Sequence, residues 1–169
     1  MGSGSSGPYG GGSTGSQPYA PSYHVVPDML TTDKKDSDIY KSNSGYFKNP
    51  TATNLENAID GNRVVFNGKS VKGQFTYVMD TNGNIIFGKR YNPNNSSKRS
   101  PHPTLIGGKN PEVQCAGIIK FTKGRILSVD DRSGHFRPNS KSLEKVDSFL
   151  DKLYKRNPNL FDKRSKWRK

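Results

Sequence analysis

Alternating apolar and polar positions in the middle of the chain predict two β-hairpins. The paired segments are residues 75–79 with 84–87, and residues 113–122 with 125–129. Asn82-Gly83 separates the first pair and supplies the positive φ angles that a tight turn requires. Lys123-Gly124 separates the second pair. With residues 64–66 as a further short strand, we expect an antiparallel sheet of about four to five strands.

Two stretches have the 3.6-residue spacing of an amphipathic helix. The longer one has an apolar stripe of Leu143, Val146, Phe149, Leu150 and Leu153, after a cap at Asn139 or Ser140 and before Asn157-Pro158. The shorter one has Leu55, Ala58 and Ile59, after a cap at Thr51 or Thr53. The fold class that we predict is therefore α+β, a small antiparallel sheet flanked by an N-terminal and a C-terminal helix.

Composition divides the chain into three parts. Residues 1–23 contain Gly, Ser, Pro and Tyr without a charge, so we expect residues 1–45 to be a flexible linker and polar lead-in. Residues 46–157 form the single folded domain. Residues 158–169 form a basic C-terminal tail.

The balance of charge favours an anionic partner. Twenty-seven Lys and Arg against fourteen Asp and Glu give a net charge of +13. Attraction to phosphates makes RNA the first candidate partner, although such charge also keeps a domain soluble or complements an acidic inhibitor. No apolar run is long enough for a membrane-spanning helix, and no classical signal peptide is visible, so we expect neither. We expect a monomer.

Two histidines are the best candidates for acid-base chemistry. His135 lies where the last strand ends, with Arg137 two residues later to neutralise charge that develops in a reaction. His102 precedes the second hairpin. The predicted catalytic residues are His135, His102 and Arg137. The predicted substrate-binding residues are Arg132, Lys120, Lys123, Arg125 and Thr104.

A metal site or a cofactor is not expected. The three histidines lie at positions 24, 102 and 135 without metal-ligand spacing, and no dinucleotide-binding or phosphate-binding glycine motif is present. The single cysteine, Cys115, lies in an apolar run and is expected to be a buried, inert thiol.

Several short elements together resemble a known module. They are residues 77–88, His102-Pro-Thr-Leu105, Gly107-Gly108, Cys115-Ala-Gly-Ile118 and Ser133-Gly-His-Phe-Arg-Pro138. This order is similar to that of C-terminal toxin domains of Rhs-type and related bacterial polymorphic toxins, and to a region of plant IQ-motif calmodulin-binding proteins. Pro103 stands where the family has Ser, and Ile118 where it has an acidic residue. No IQ helix is present, so calmodulin binding does not carry over.

The resemblance implies a toxin domain that is secreted, or delivered by a secretion system into the cytoplasm of a target cell, as part of a larger carrier. It also implies a cognate immunity protein. Such domains are usually enzymes, although the motif itself does not identify the reaction.

Three functions remain open from the sequence. A metal-independent ribonuclease is favoured by the two histidines and the basic charge. An ADP-ribosyltransferase that uses NAD is the alternative enzyme, for which Arg63 and Ser96 are available but no Glu-x-Glu pair exists. The third is a non-enzymatic binding module whose basic tail docks on an acidic partner.

Overall fold

The structure, a computed structural model, describes residues 16–92 and 95–168. These residues include thirteen strands and two α-helices. The strands are β1 (Tyr23–His24), β2 (Tyr40–Lys41), β3 (Gly45–Tyr46), β4 (Thr53–Asn54), β5 (Ile59–Asp60), β6 (Arg63–Phe66), β7 (Lys69–Ser70), β8 (Gly73–Asp80), β9 (Ile85–Gly88), β10 (Tyr91–Asn92), β11 (Asn95–Arg99), β12 (Glu112–Thr122) and β13 (Arg125–Val129). The helices are α1 (Pro27–Asp33) and α2 (Leu143–Arg156). Short 3₁₀ segments are Glu56–Ala58, His102–Leu105, Ser140–Ser142, Pro158–Leu160 and Lys166–Arg168.

The central sheet has six antiparallel strands in the order β1-β12-β8-β9-β4, with β13 also paired to β12. Both predicted hairpins are confirmed, since β8 pairs with β9 and β12 pairs with β13. The α+β class is confirmed as well, with six strands rather than four to five. The remaining strands form the ribbons β2-β3 and β10-β11 and the small sheet β5-β6-β7.

Each face of the central sheet carries its own hydrophobic core. Tyr77 and Met79 of β8 pack in a cluster with Val146 and Leu150 of α2. Val78, which points to the opposite face, belongs to a second cluster with residues from the N-terminal part of the chain and from the turn after β13. This alternation is the two-residue period of a β-strand. The second face is the one that carries the candidate site.

The ordered core extends further toward the N terminus than the sequence predicts. Tyr23 is only 2% exposed and pairs with Val113 of β12, and Tyr40 and Tyr46 belong to the same cluster. These tyrosines supply apolar area within stretches of the sequence that are otherwise polar. Residues 1–15 of the expected linker lie outside the described residues.

The helix predicted from Leu55, Ala58 and Ile59 does not form. A 3₁₀ segment, Glu56–Ala58, takes its place, because Thr53–Asn54 pairs with β9 and Ile59–Asp60 pairs with β6. Strand pairing here overrides the local helical spacing. The N-terminal helix is instead α1, which follows β1 and is seven residues long.

The predicted C-terminal helix is confirmed as α2, whose Val146, Leu150 and Leu153 are buried. Beyond it, Phe161 and Trp167 join the same core, with ring centroids 5.0 Å apart. The region expected as a basic tail therefore packs on the domain. No helix in the described part of the chain is long and apolar enough to cross a membrane.

Candidate active site

A cavity of about 850 Å³ opens on the second face of the sheet. Its floor consists of two cross-strand pairs, Thr76 with Ile118 and Gln74 with Lys120. Along β8 this face changes from apolar Val78 to polar Thr76 and Gln74, whereas Phe75, Tyr77 and Met79 keep the other face apolar. That change is the sequence signal by which the cavity could have been found.

The walls come from three other parts of the chain. The segment at and after α1 contributes Met29, Asp33, Asp36, Asp38 and Ile39. The base of the β10-β11 ribbon and the residues after it contribute Arg90, Arg99, Ser100, Pro101 and His102. The turn after β13 contributes Arg132, Gly134 and His135. The two histidines, 33 positions apart in sequence, thus line one cavity.

His102 is held by the central strand. It begins the 3₁₀ segment after Pro101, is 7% exposed, and its Nε2 lies 2.7 Å from the carbonyl oxygen of Gly117. A carbonyl oxygen only accepts, so Nε2 carries the proton and the lone pair of the neutral ring is on Nδ1. All four residues of this 3₁₀ segment, His102–Leu105, are buried.

Burial lowers the pKa of His102 to about 4. The hydrogen bond to Gly117 opposes this change, and the nearby charge of His135 adds to it. At neutral pH the ring is therefore an uncharged base.

His135 lies in a turn that the chain anchors on both sides. Phe136 is fully buried, and the carbonyl oxygen of His135 accepts a hydrogen bond of 2.8 Å from the backbone N–H of Val26. The side chain contacts Asp33, with Nε2 and Oδ2 2.9 Å apart. The contact is not an aligned hydrogen bond, because the buried Nε2 of His135 has no hydrogen-bond partner among the described residues.

Asp33 is the residue that the sequence analysis missed. It is 5% exposed, and its Oδ2 also accepts a hydrogen bond of 2.6 Å from the hydroxyl of Tyr46. Burial and the Asp33 carboxylate raise the pKa of Tyr46 well above its usual range, so this hydroxyl remains a donor. Nothing in the local sequence around Asp33 distinguishes it from the neighbouring exposed polar residues.

Four cationic side chains line the cavity, namely Arg90, Arg99, Lys120 and Arg132. Arg90 donates to the side-chain oxygen of Gln74 at 3.2 Å. Arg132 bonds to the carboxylate of Asp130 through two nitrogens, each 2.8 Å from Oδ2. Two of the predicted substrate-binding residues, Lys120 and Arg132, are thus beside the histidines.

The remaining predicted site residues lie elsewhere. Arg137 does not line the cavity and pairs with Asp28 at 3.2 Å. Lys123 is in the turn between β12 and β13, and Arg125 donates to the carbonyl oxygen of Asn159. The Thr104 hydroxyl is buried and donates to the carbonyl oxygen of Pro101.

The thiol of Cys115 lies in the core on the opposite face of the sheet from the cavity. It is fully buried, and burial raises its pKa to about 11. The neighbouring Tyr77 hydroxyl donates to the carbonyl oxygen of Asp130 at 2.6 Å. The described residues include no group of three or more His, Cys, Asp or Glu side chains placed to hold a metal ion.

No family model, curated protein or solved structure matches this chain. A function must therefore be argued from the geometry of the cavity together with the resemblance in short motifs.

Proposed function

We propose that this chain is a toxin domain that cleaves RNA without a metal ion, with His102 as general base and His135 as general acid. The observation that carries the proposal is that both imidazoles line one cavity together with four cationic side chains. A polyanion with a reactive hydroxyl beside each phosphate is the substrate that suits this combination.

The reaction that fits the site is an internal transfer at phosphorus. Nδ1 of His102 removes the proton from a ribose 2′-hydroxyl, and the oxygen attacks the adjacent phosphorus. The bond from phosphorus to the 5′-oxygen breaks, and protonated His135 gives its proton to that oxygen. The products are a 2′,3′-cyclic phosphate and a 5′-hydroxyl end.

The surrounding groups support the two histidines. Lys120, Arg99 and Arg132 can stabilise the negative charge that develops on the phosphoryl oxygens. Asp33 contacts Nε2 of His135 and so limits the orientations that the ring can adopt. Because the base is the group with a pKa of about 4, the acid limb of the rate profile should begin only as the pH falls toward that value.

Cleavage of a fluorescent RNA in the presence of EDTA tests the proposal. His135→Ala and His102→Gln should each lower the rate by about 10²- to 10⁴-fold, since general acid-base groups contribute this much. Gln retains a donor for the Gly117 carbonyl oxygen and so protects the fold. His24→Ala is the matched control, because His24 is exposed on β1 and outside the cavity. Undiminished cleavage by His135→Ala would overturn the assignment.

We also propose the biological setting that the resemblance implies, a toxin domain attached to a larger carrier, delivered into a target cell and neutralised by an immunity protein. Expression in a bacterium without that immunity protein, with RNA, DNA and NAD profiled together, examines it. Loss of RNA is the expected result. Loss of NAD with intact RNA would favour the ADP-ribosyltransferase. Killing that survives loss of both histidines would favour the non-enzymatic module.

A further inference from the structure

The β10-β11 ribbon carries an exposed aromatic side chain beside the cavity. Tyr91 is 47% exposed and is the register partner of Arg99 across the ribbon. Residues directly opposite each other in an antiparallel pair project from the same face, about 5 Å apart at Cβ. Tyr91 is therefore adjacent to a cavity-lining residue, Arg99, although its own ring is not part of the lining.

The base of this ribbon is attached to the cavity floor. The backbone N–H of Ser100 donates to the carbonyl oxygen of Arg90 at 2.8 Å, which extends the ribbon by one more pair. The guanidinium of Arg90 donates to Gln74 on β8 at 3.2 Å. The backbone next to Tyr91 is therefore attached to the strand that forms part of the cavity floor.

We propose that Tyr91 is a stacking platform for a nucleobase of single-stranded RNA, with Arg99 on the adjoining phosphate. This inference rests on the proposed function, because it places the base beside the phosphate that is cleaved. Aromatic rings next to cationic side chains are the recurrent means by which proteins bind single strands, since every base offers a π face. A base inside a duplex is already stacked and cannot use the platform.

A second exposed tyrosine provides a matched control. Tyr19 is 48% exposed, but it lies beside α2 with the Nζ atoms of Lys141 and Lys145 about 5.5 Å from its ring. Unlike Tyr91, it has no cavity-lining residue as a strand partner. Because Tyr19 and Tyr91 are about equally exposed, comparing their alanine variants distinguishes a specific stacking site at Tyr91 from a general effect of exposed aromatic surface.

The test is the binding of a fluorescent, 2′-O-methylated single-stranded RNA, which lacks the attacking hydroxyl, measured by anisotropy. Tyr91→Ala should weaken binding by about 10- to 100-fold, the range for loss of one stacked base. Tyr91→Trp should retain affinity, and Tyr19→Ala should leave it unchanged. Arg99→Ala should reduce the slope of log affinity against log salt concentration by about one, whereas Tyr91→Ala should leave this slope unchanged.

The outcomes separate this inference from the proposed function. Unchanged affinity of Tyr91→Ala, equal binding of duplex and single strand, or no binding by the wild type would overturn the platform. Binding that depends on Tyr91 without any cleavage of unmodified RNA would support the platform and overturn the nuclease. Normal affinity and normal cleavage in Tyr91→Ala would support the proposed nuclease and overturn the stacking platform.

Discussion

Nε2 of His102 and the carbonyl oxygen of Gly117 lie 2.7 Å apart, so a central strand of the sheet orients the candidate base. The turn after β13 also approaches β12 closely at Gly117. A Cβ atom there would lie 2.0 Å from the carbonyl oxygen of Asp130. Asp130 in turn accepts hydrogen bonds from the backbone N–H groups of Ile118 and Arg132. One glycine thus links His102 to the turn that leads to His135.

Gly117→Ala should destabilise the domain strongly. The methyl group would collide with backbone atoms, which cannot move aside as a flexible side chain does. Overpacking of this kind costs about 1–3 kcal/mol or more, and urea unfolding measures it. Gly134→Ala is the control, since a Cβ atom there meets nothing within 4 Å, and its effect should stay within about 0.5 kcal/mol. Equal stability of the two variants would contradict the close approach at Gly117.

Stability should fall in mild acid because of His102. Its pKa is lowered from 6.5 to about 4 in the folded state, so between these values only the unfolded chain binds the proton. The contribution of His102 to the free energy of unfolding is therefore fully present above about pH 6.5 and decreases as the pH falls toward 4. At pH 4.5 the loss should be about 2–3 kcal/mol relative to pH 7.5.

Urea unfolding of wild type and His102→Gln at the two pH values measures this contribution as a difference, which cancels the other titrating groups. The variant should lose less stability on acidification by about 2–3 kcal/mol. His24→Gln, which changes an exposed histidine, should retain the wild-type dependence. Identical pH dependence in His102→Gln would contradict a buried, neutral imidazole.

Local patterns predicted the hairpins and α2 because each is specified by residues close in sequence. Asn82-Gly83 fixes the first turn, and the apolar stripe of α2 matches the face that packs on the sheet. The prediction of a short helix with Leu55, Ala58 and Ile59 is wrong because Thr53–Asn54 pairs with β9, whose residues lie more than thirty positions away. Local spacing cannot report such a partner.

The site was predictable in part for the same reason. The histidines were identified by residue type, and Lys120 by its positive charge in the second hairpin. Asp33 could not be identified, because its burial depends on the N-terminal segment folding back over the sheet onto the turn that holds His135. Charge alone gave Lys123 and Arg125 the same weight as Arg132, although they lie at the other end of the hairpin.

Asp33→Asn should impair proton donation by His135 more than it impairs the binding of substrate. The substitution retains the shape of the side chain but removes the charge 2.9 Å from Nε2 of His135. We expect kcat for RNA to fall on the order of 10-fold or more, part of the contribution of a general acid, with KM little changed. A change in KM alone would assign Asp33 to substrate binding.

Tyr46→Phe is the companion variant for Asp33. It removes the hydroxyl that donates to Asp33 but leaves the carboxylate beside His135. Stability should fall by about 1–3 kcal/mol, as expected for a hydrogen bond to a charged group, while kcat stays closer to wild type than in Asp33→Asn.

Trp167→Ala should cost far more stability than removal of the charge next to it. The indole is buried against Phe161, and its Nε1 donates to Asp151 at 2.8 Å. Truncation of a buried Trp costs about 3–5 kcal/mol. Lys166 pairs with Asp147 at 2.8 Å but is more than half exposed, so Lys166→Ala should cost at most about 1 kcal/mol.

Both variants can be compared by urea unfolding, with Trp167→Phe as a milder substitution that keeps the domain folded. Phe retains an aromatic ring against Phe161 but loses the hydrogen bond to Asp151, so its cost should lie between those of the two alanine variants. If Trp167→Ala and Lys166→Ala cost the same, the last turn is not part of the core. The reading in which a free basic tail docks on an acidic partner would then gain support. A large difference would show that the aromatic groups of this segment stabilise the same core as α2.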